Sequence, residues 1–304
     1  SFPTRRSSDL NLTFQTSDLA KLALIMYISR LLSRKQDVIK DFRQGFLPVI
    51  IPVAVVCLLI APANLSTALL IGATCMMLMF IGRVSGKHLL LTLGVAMIPV
   101  IILVLAAMVR HKSGEPVAVK SKAESHSHLF VRVDTWINRV EHFIYGDQAS
   151  KEEDNYQVNQ AKIAVANGGW IGLGPGNSRQ RNFLPHPYSD FIYAIIIEEY
   201  GMIGGAIIMF IYLVFLFRSI RIFRKCPFAF GAFLALGLSF TLMIQAIANM
   251  AVNVNLFPVT GVTLPLISMG GSSFLFTCLA IGIILSVARN AEQIEGEAAA
   301  EAAD

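Results

Sequence analysis

Seven long apolar blocks run through this chain of 304 residues, and they restrict its fold more than any motif does. They extend from about Ser17 to Leu32, Phe46 to Ile60, Leu65 to Ile81, Leu89 to Val109, Asp190 to Phe217, Phe228 to Ala251 and Leu264 to Val287. A hydrocarbon core takes roughly 20 helical residues to cross, and each block reaches or approaches that length. No water is available there to satisfy a backbone amide, so each block must pair its own amides as a helix. The predicted fold is an all-α membrane protein, a polytopic helical bundle. Composition agrees, with 55% hydrophobic and 15% charged residues.

Basic residues in short loops stay on the cytoplasmic side, and here they alternate. The connection after the first block carries Arg30, Arg34, Lys35, Lys40 and Arg43; that after the third carries Arg83 and Lys87; that after the fifth carries Arg218, Arg221, Arg224 and Lys225. The turns Ala61 to Asn64 and Val252 to Thr263 carry none. This pattern places the long hydrophilic insertion, about Arg110 to Ser189, outside the cytoplasm and the C-terminus inside. The net charge of +5 follows from that topology and gives no reason to invoke nucleic acid.

The expected organisation is then residues 1–10 as a foreign segment, 11–109 as four transmembrane helices, 110–189 as an extracytoplasmic loop with short helices, 190–289 as three transmembrane helices, and 290–304 as a cytoplasmic tail. Ser1 to Leu10 is polar, basic and without period, unlike the apolar first block. Cys57, Cys75, Cys226 and Cys278 lie in apolar blocks or at the cytoplasmic edge, so no disulfide framework is expected. His126 and His128 are two histidines of the external insertion, weak evidence for a metal, and read as loop residues.

One stretch carries most of the chemistry: GGWIGLGPGNSRQRNFLPHPYSDFIYAIIIEEYGMIGG, from Gly168 to Gly205. Its glycines permit positive φ and close approach of the backbone to a ligand. An aspartate, Asp190, follows at the mouth of an apolar helix, where an ionisable group is costly and hence a functional candidate. Ser189 and Asp190 equally suit a helix N-cap, and the residues alone leave both readings open. Glu198 and Glu199, two turns further, are expected to be hydrogen-bonded inside the bundle. Gly201 and Gly205 have the spacing of a close helix contact. Gln245, Asn249 and Asn253 form a polar stripe on one helix face, suited to a cavity wall or to interhelical hydrogen bonds. Asp18 and Lys21 share a face of the first helix.

The Gly168 to Gly205 stretch resembles the signature of the SEDS family (FtsW, RodA, SpoVE) of bacterial peptidoglycan glycosyltransferases. Phe14 to Ala23, FQTSDLAKLA, and Phe257 to Ser273, FPVTGVTLPLISMGGSS, resemble two further family motifs, in the same order along the chain. The family has ten membrane helices with both ends in the cytoplasm. The resemblance therefore implies seven of ten here, with three preceding ones missing and an N-terminally truncated chain.

The resemblance implies that Asp190 matches the family's essential aspartate and acts as general base while one lipid-linked disaccharide attacks another. Candidate substrate-binding residues are Lys21, Asp18, Arg179, Arg181, Ser189, Gly174 and Gly176. A polyprenyl pyrophosphate leaves without strong protonation, and the charge on its phosphates is neutralised by such cations or by a divalent metal, Mg2+ or Mn2+. The sequence identifies no ligand set for that metal. Implied partners are lipid II, undecaprenyl pyrophosphate-linked glycan, a class B penicillin-binding protein acting as transpeptidase, and other divisome proteins, in the bacterial cytoplasmic (inner) membrane with the catalytic face outside. Thr263 inclines the likeness toward the division-associated FtsW branch, which implies septal synthesis, while Thr260 leans toward the elongation-associated RodA branch, the alternative. A lipid II flippase and a noncatalytic scaffold are the competing readings. Pro185, His186, Pro187, Tyr188 and Ser189 stand where the family usually has a glutamate and a histidine before the aspartate. The stretch from Tyr156 to Gly168 is expected to be a short helix lying on the outer membrane surface with its apolar face down.

Overall fold

The computed structural model describes residues 15–112, 128–145, 152–184 and 188–301. Ser1 to Leu10, His126 and residues 185–187 lie outside that set, as does the side chain of His128. Every described regular element is helical. Helices α1 (Thr16–Arg34), α2 (Leu47–Ile60), α3 (Leu65–Ile81) and α4 (Gly86–Lys112) form from the first four apolar blocks. The hydrophilic insertion holds α5 (His128–Tyr145) and α6 (Glu152–Gly168), and α7 (Ile192–Lys225), α8 (Ala229–Asn253) and α9 (Gly271–Glu301) come after it. Five helical stretches have the length and hydropathy of a membrane span: Phe42–Ile60, Gly86–Val109, Ile192–Lys225, Ala229–Asn253 and Gly271–Glu297. α3 is as apolar but has 17 residues.

Local chemistry sets several helix starts. The Asn64 side chain accepts from Thr67 N at 3.1 Å and caps α3. Asp41 accepts from Gln44 N at 3.2 Å and opens a π-helical turn, Phe42–Phe46, that runs into α2.

The bundle is built around α8, which packs on α1, α3, α7 and α9 and is buried over most of its length. A helix surrounded by others must be apolar or small on every face. Ala232, Ala235, Gly237, Ser239 and Ala246 let its neighbours close in. At Gly237 a Cβ would come within 2.8 Å of Ile25, so a larger residue would push α1 away. Leu22 and Ile25 of α1 meet Leu234 and Leu238 of α8 and Ala280 and Ile284 of α9 in one core cluster. By contrast α4 leans outward, resting mainly on α5, and most of its surface is exposed.

Three expectations need correction. The last apolar block does not begin as helix at Leu264. Pro265 offers no amide, Leu266 has φ +65°, and α9 starts only at Gly271. The intervening turn closes on itself, with Leu264 N donating to Ser268 Oγ at 2.7 Å, and ties to the segment before α7, with Ser268 Oγ donating to Ser189 O at 2.6 Å and Met269 N to Tyr188 O at 2.8 Å. Second, part of the apolar side of α6 faces protein: Ala161 and Ala164 are buried against Phe191, Ala194 and Ile195 at the start of α7, while Tyr156 and Ile163 stay exposed.

Third, Gly201 is no helix-packing notch. It has φ +71°, ψ −175° and breaks α7 into two pieces. Breaking the helix there frees the carbonyls of Glu198 and Glu199 and the amides of Met202 and Ile203, which a straight helix would pair with each other at four-residue spacing. The glycine-rich loop supplies all four partners. Leu173 N donates to Glu198 O and Gly174 N to Glu199 O, both at 2.9 Å, while Met202 N donates to Gly169 O at 2.9 Å and Ile203 N to Trp170 O at 3.4 Å. The backbones come so close that a Cβ on Gly168, Gly172 or Gly201 would lie 2.0, 2.3 or 2.2 Å from a main-chain oxygen. These glycines serve loop-to-helix docking.

Candidate functional site

Asp190 stands two residues before α7, and its carboxylate caps nothing: the N-cap position is Phe191, with no side-chain cap bond. The helix-cap reading of Asp190 is thereby replaced. Its main-chain carbonyl accepts from two side chains of the α8 stripe, Asn249 Nδ2 and Asn253 Nδ2, both at 2.9 Å. The half-buried carboxylate accepts from Ser189 Oγ at 2.9 Å and otherwise points at Gly261, where a Cβ would lie 3.8 Å from Asp190 Oδ2. In front of it opens a cavity of about 510 Å3 whose lining includes Gln15, Ser189, Asp190, Gly261, Thr263 and Ser273.

A second cavity, of about 50 Å3, continues from the first and shares Gln15, Gly261, Thr263 and Ser273 with it. Asp18 and Lys21 lie on its wall. The predicted pair forms, with Lys21 Nζ donating to Asp18 Oδ1 at 3.1 Å and to Gln245 Oε1 at 3.1 Å. Gln245 Nε2 passes the connection on to Thr263 O at 3.0 Å. Asp18 is buried and its Oδ2 has no hydrogen-bond partner. The result is one polar groove with a carboxylate at its wide end and an ammonium ion within.

Gly174, Gly176, Arg179 and Arg181 line neither cavity. They belong to the loop held by Glu198, a fully buried carboxylate that accepts from the Ser178 hydroxyl, from Arg179 N at 3.3 Å and from Gln180 N at 3.3 Å. Glu198 thus organises the loop as an internal cap for the short 3-10 turn Gln180–Asn182. Sequence reasoning missed Gln15, Gly261, Ser272 and Ser273 as cavity residues. Their signal lay in the two shorter motifs, FQTSDLAKLA and FPVTGVTLPLISMGGSS, each of which supplies a wall.

Among the described residues no three His, Cys, Asp or Glu side chains gather as a metal set. Among those same residues Asp190 is the one carboxylate on the larger cavity and Asp18 the one on the smaller. A divalent ion held here would therefore rest on a single carboxylate, hydroxyls, water and the phosphates of a substrate, a ligand mixture that suits Mg2+.

A separate apolar groove of about 430 Å3 runs between α3, α4, α5 and α8. Leu69, Leu103, Trp136, Val140 and Ile247 line it, and Arg139 lies on its wall with Nη1 donating to Val259 O at 3.3 Å.

Residues 10–293 match the model of a protein family described as cell cycle protein, FtsW/RodA/SpoVE. The chain belongs to that family. Stage V sporulation protein E of Bacillus subtilis is 33% identical over 279 residues, covering 91% of this chain and 69% of the relative. A probable peptidoglycan glycosyltransferase FtsW of Geobacter sulfurreducens is 32% identical, covering 90% of this chain and 67% of that protein. Two solved structures share the fold. One comes from work on the structural coordination of polymerization and crosslinking by a peptidoglycan synthase complex, with a TM-score of 0.65, 23% identity, and coverage of 92% of this chain and 71% of that one. The other is Thermus thermophilus RodA, with a TM-score of 0.55, 21% identity, and coverage of 91% and 66%. This FtsW/RodA/SpoVE member is thus a polytopic helical membrane protein.

Proposed function

We propose that the chain is the catalytic part of a peptidoglycan glycosyltransferase that polymerises lipid II, with Asp190 as general base. The observation that carries this reading is a carboxylate released from helix capping and turned into a polar cavity that leads to Lys21. A sugar hydroxyl of one lipid-linked disaccharide enters beside Asp190. As its oxygen bonds to the anomeric carbon of the second, the bond from that carbon to the pyrophosphate oxygen breaks and the hydroxyl proton passes to Asp190. A positioned base of this kind contributes about 10² to 10⁴ in rate. Lys21 offers positive charge in the groove that continues from the reacting centre, where a pyrophosphate gathers negative charge.

The apolar groove between α3, α4, α5 and α8 suits a polyprenyl chain, and Arg139 on its wall suits an anionic group. The Asp190 end of the bundle faces outward across the bacterial cytoplasmic membrane, because the basic connections gather at the opposite end. Septal wall synthesis is the role proposed, since many of the relatives carry the FtsW name. A class B penicillin-binding protein is the proposed partner, in keeping with the solved complex that couples polymerization to crosslinking.

The test uses the complete protein, reconstituted with its transpeptidase and lipid II, and looks for glycan polymer. Wild type should polymerise and Asp190→Ala should not. Polymer from Asp190→Ala removes the general-base role, and translocation of lipid II without polymer from either protein favours a flippase.

A further inference from the structure

Asp190 stands beside a helix start, and yet its carboxylate accepts from the Ser189 hydroxyl and from no helix amide. First-turn amides ordinarily recruit such a side chain, because four of them lack intrahelical partners. A carboxylate occupied in that way is a poor proton acceptor. Here α8 supplies one acceptor, to an amide that Phe191 O shares at 3.1 Å. Asn253 Oδ1 accepts from Ala194 N, an amide in the first turn of α7, at 3.0 Å. The amide protons of the same two asparagines hold the peptide of Asp190, each donating to its carbonyl at 2.9 Å.

The pair is also braced internally. Asn253 Nδ2 approaches Asn249 Oδ1 at 3.2 Å and Asn249 O at 2.9 Å, and Asn249 Nδ2 spends its other proton on Val262 O at 2.7 Å. Val262 adjoins Gly261, the residue that faces Asp190 Oδ2. The Asn249 amide therefore joins the two walls between which the carboxylate lies. Both asparagines are 1% exposed, so water does not compete for these bonds.

We propose that Asn249 and Asn253 are positioning residues for Asp190. Asn253 caps α7 from the neighbouring helix, both fix the peptide that carries the base, and so they leave its carboxylate to the cavity. This inference rests on the reading of Asp190 as general base. Neither asparagine touches the carboxylate itself, and their effect passes through the backbone. Small displacements of a catalytic group are costly, on the order of 10²-fold for about 1 Å.

The experiment compares Asn253→Ala, Asn249→Leu and Asp190→Ala with wild type in the complete protein, using lipid II with the partner transpeptidase. Asn249→Leu keeps the branching of the side chain, adds some volume and removes its polar bonds. Turnover number, KM and thermal unfolding in detergent are read for each. Positioning predicts that kcat falls about 10- to 100-fold in both asparagine variants, with KM within threefold. Asn249→Leu strips Val262 O of its bond and should unfold at a lower temperature, but it should still be purified folded, so that kcat is read per folded molecule. Wild-type kcat in both asparagine variants, with Asp190→Ala inactive, overturns the positioning role alone. Losses of kcat that match losses of folded protein in both variants reduce the asparagines to packing and overturn it too. An active Asp190→Ala removes the base, and the positioning role goes with it.

Discussion

Lys21 on α1 and Gln245 on α8 are separated by 224 positions in the chain and by 3.1 Å in space. The same ammonium group bonds Asp18, whose side chain is 7% exposed, so the helix pair α1 and α8 is sealed around a buried charge.

Removing one partner of such a pair leaves an uncompensated charge, at a cost of about 3–5 kcal/mol. Lys21→Met should lower the unfolding temperature clearly. The double variant Asp18→Asn with Lys21→Met should regain most of that stability while polymerisation stays lost. Equal unfolding temperatures for the single and double variants would show that charge imbalance is not the cause.

Gly261 has φ +65° and faces the carboxylate of Asp190. Alanine there costs about 1–2 kcal/mol of backbone strain and sets a methyl group against the base. Turnover should drop at least ~10-fold, since about 1.4 kcal/mol of misplacement suffices for that, while the protein still elutes as a folded monodisperse species. Unchanged turnover would mean that the cavity is wider at this point than its geometry indicates.

Two glycine-to-alanine changes should differ sharply. A Cβ on Gly201 would lie 2.2 Å from the carbonyl oxygen of Trp170, whereas one on Gly282 meets nothing within 4 Å. Gly201→Ala should unfold at a much lower temperature or fail to accumulate. Gly282→Ala, in the interior of α9, should be neutral or stabilising by about 0.5–1 kcal/mol. Thermal unfolding of the two proteins side by side decides it.

Glu198→Ala strips a buried acceptor from the amides of Arg179 and Gln180 and from the Ser178 hydroxyl. Each buried group left unsatisfied costs about 1–3 kcal/mol. Limited proteolysis should then cut between Trp170 and Asn182 at least ~10-fold faster than in wild type, through local opening of the loop. Equal cutting rates would show that the loop is held by its backbone bonds to α7 alone.

Much of this arrangement is written in the sequence. Each of the seven apolar blocks contains a helix, and five helical stretches have the length and hydropathy of a membrane span, because an apolar run of that length has no other way to satisfy its backbone in lipid. The spacing of Asp18 and Lys21 implies their pairing, and the period of Gln245, Asn249 and Asn253 implies a polar stripe. What each stripe residue touches is not legible there. Asn253 reaches Asp190 across 63 positions, and no local pattern encodes a contact of that range. The glycines mislead for the same reason. Positive φ at Gly172 or Gly201 is a local property, but the backbone that fills the opened space comes from elsewhere in the chain: Leu173 and Gly174 pair with Glu198 and Glu199 across the break. Arg179 and Arg181 resemble anion holders because they are basic and come after glycines, while their amides and not their guanidinium groups carry the structure of the loop.

The exchange of bonds at Gly201 also has a consequence for how the protein is made. A segment entering the membrane as a continuous helix would pair Glu198 with Met202 and Glu199 with Ile203, and the finished form requires those pairs to open. Exposed carbonyls and amides are penalised in lipid, so the opening awaits arrival of the stretch from Gly169 to Gly174 from the water side. Assembly therefore has an order: the span is first threaded, and only later unlatched by a strip of chain that was synthesised before it.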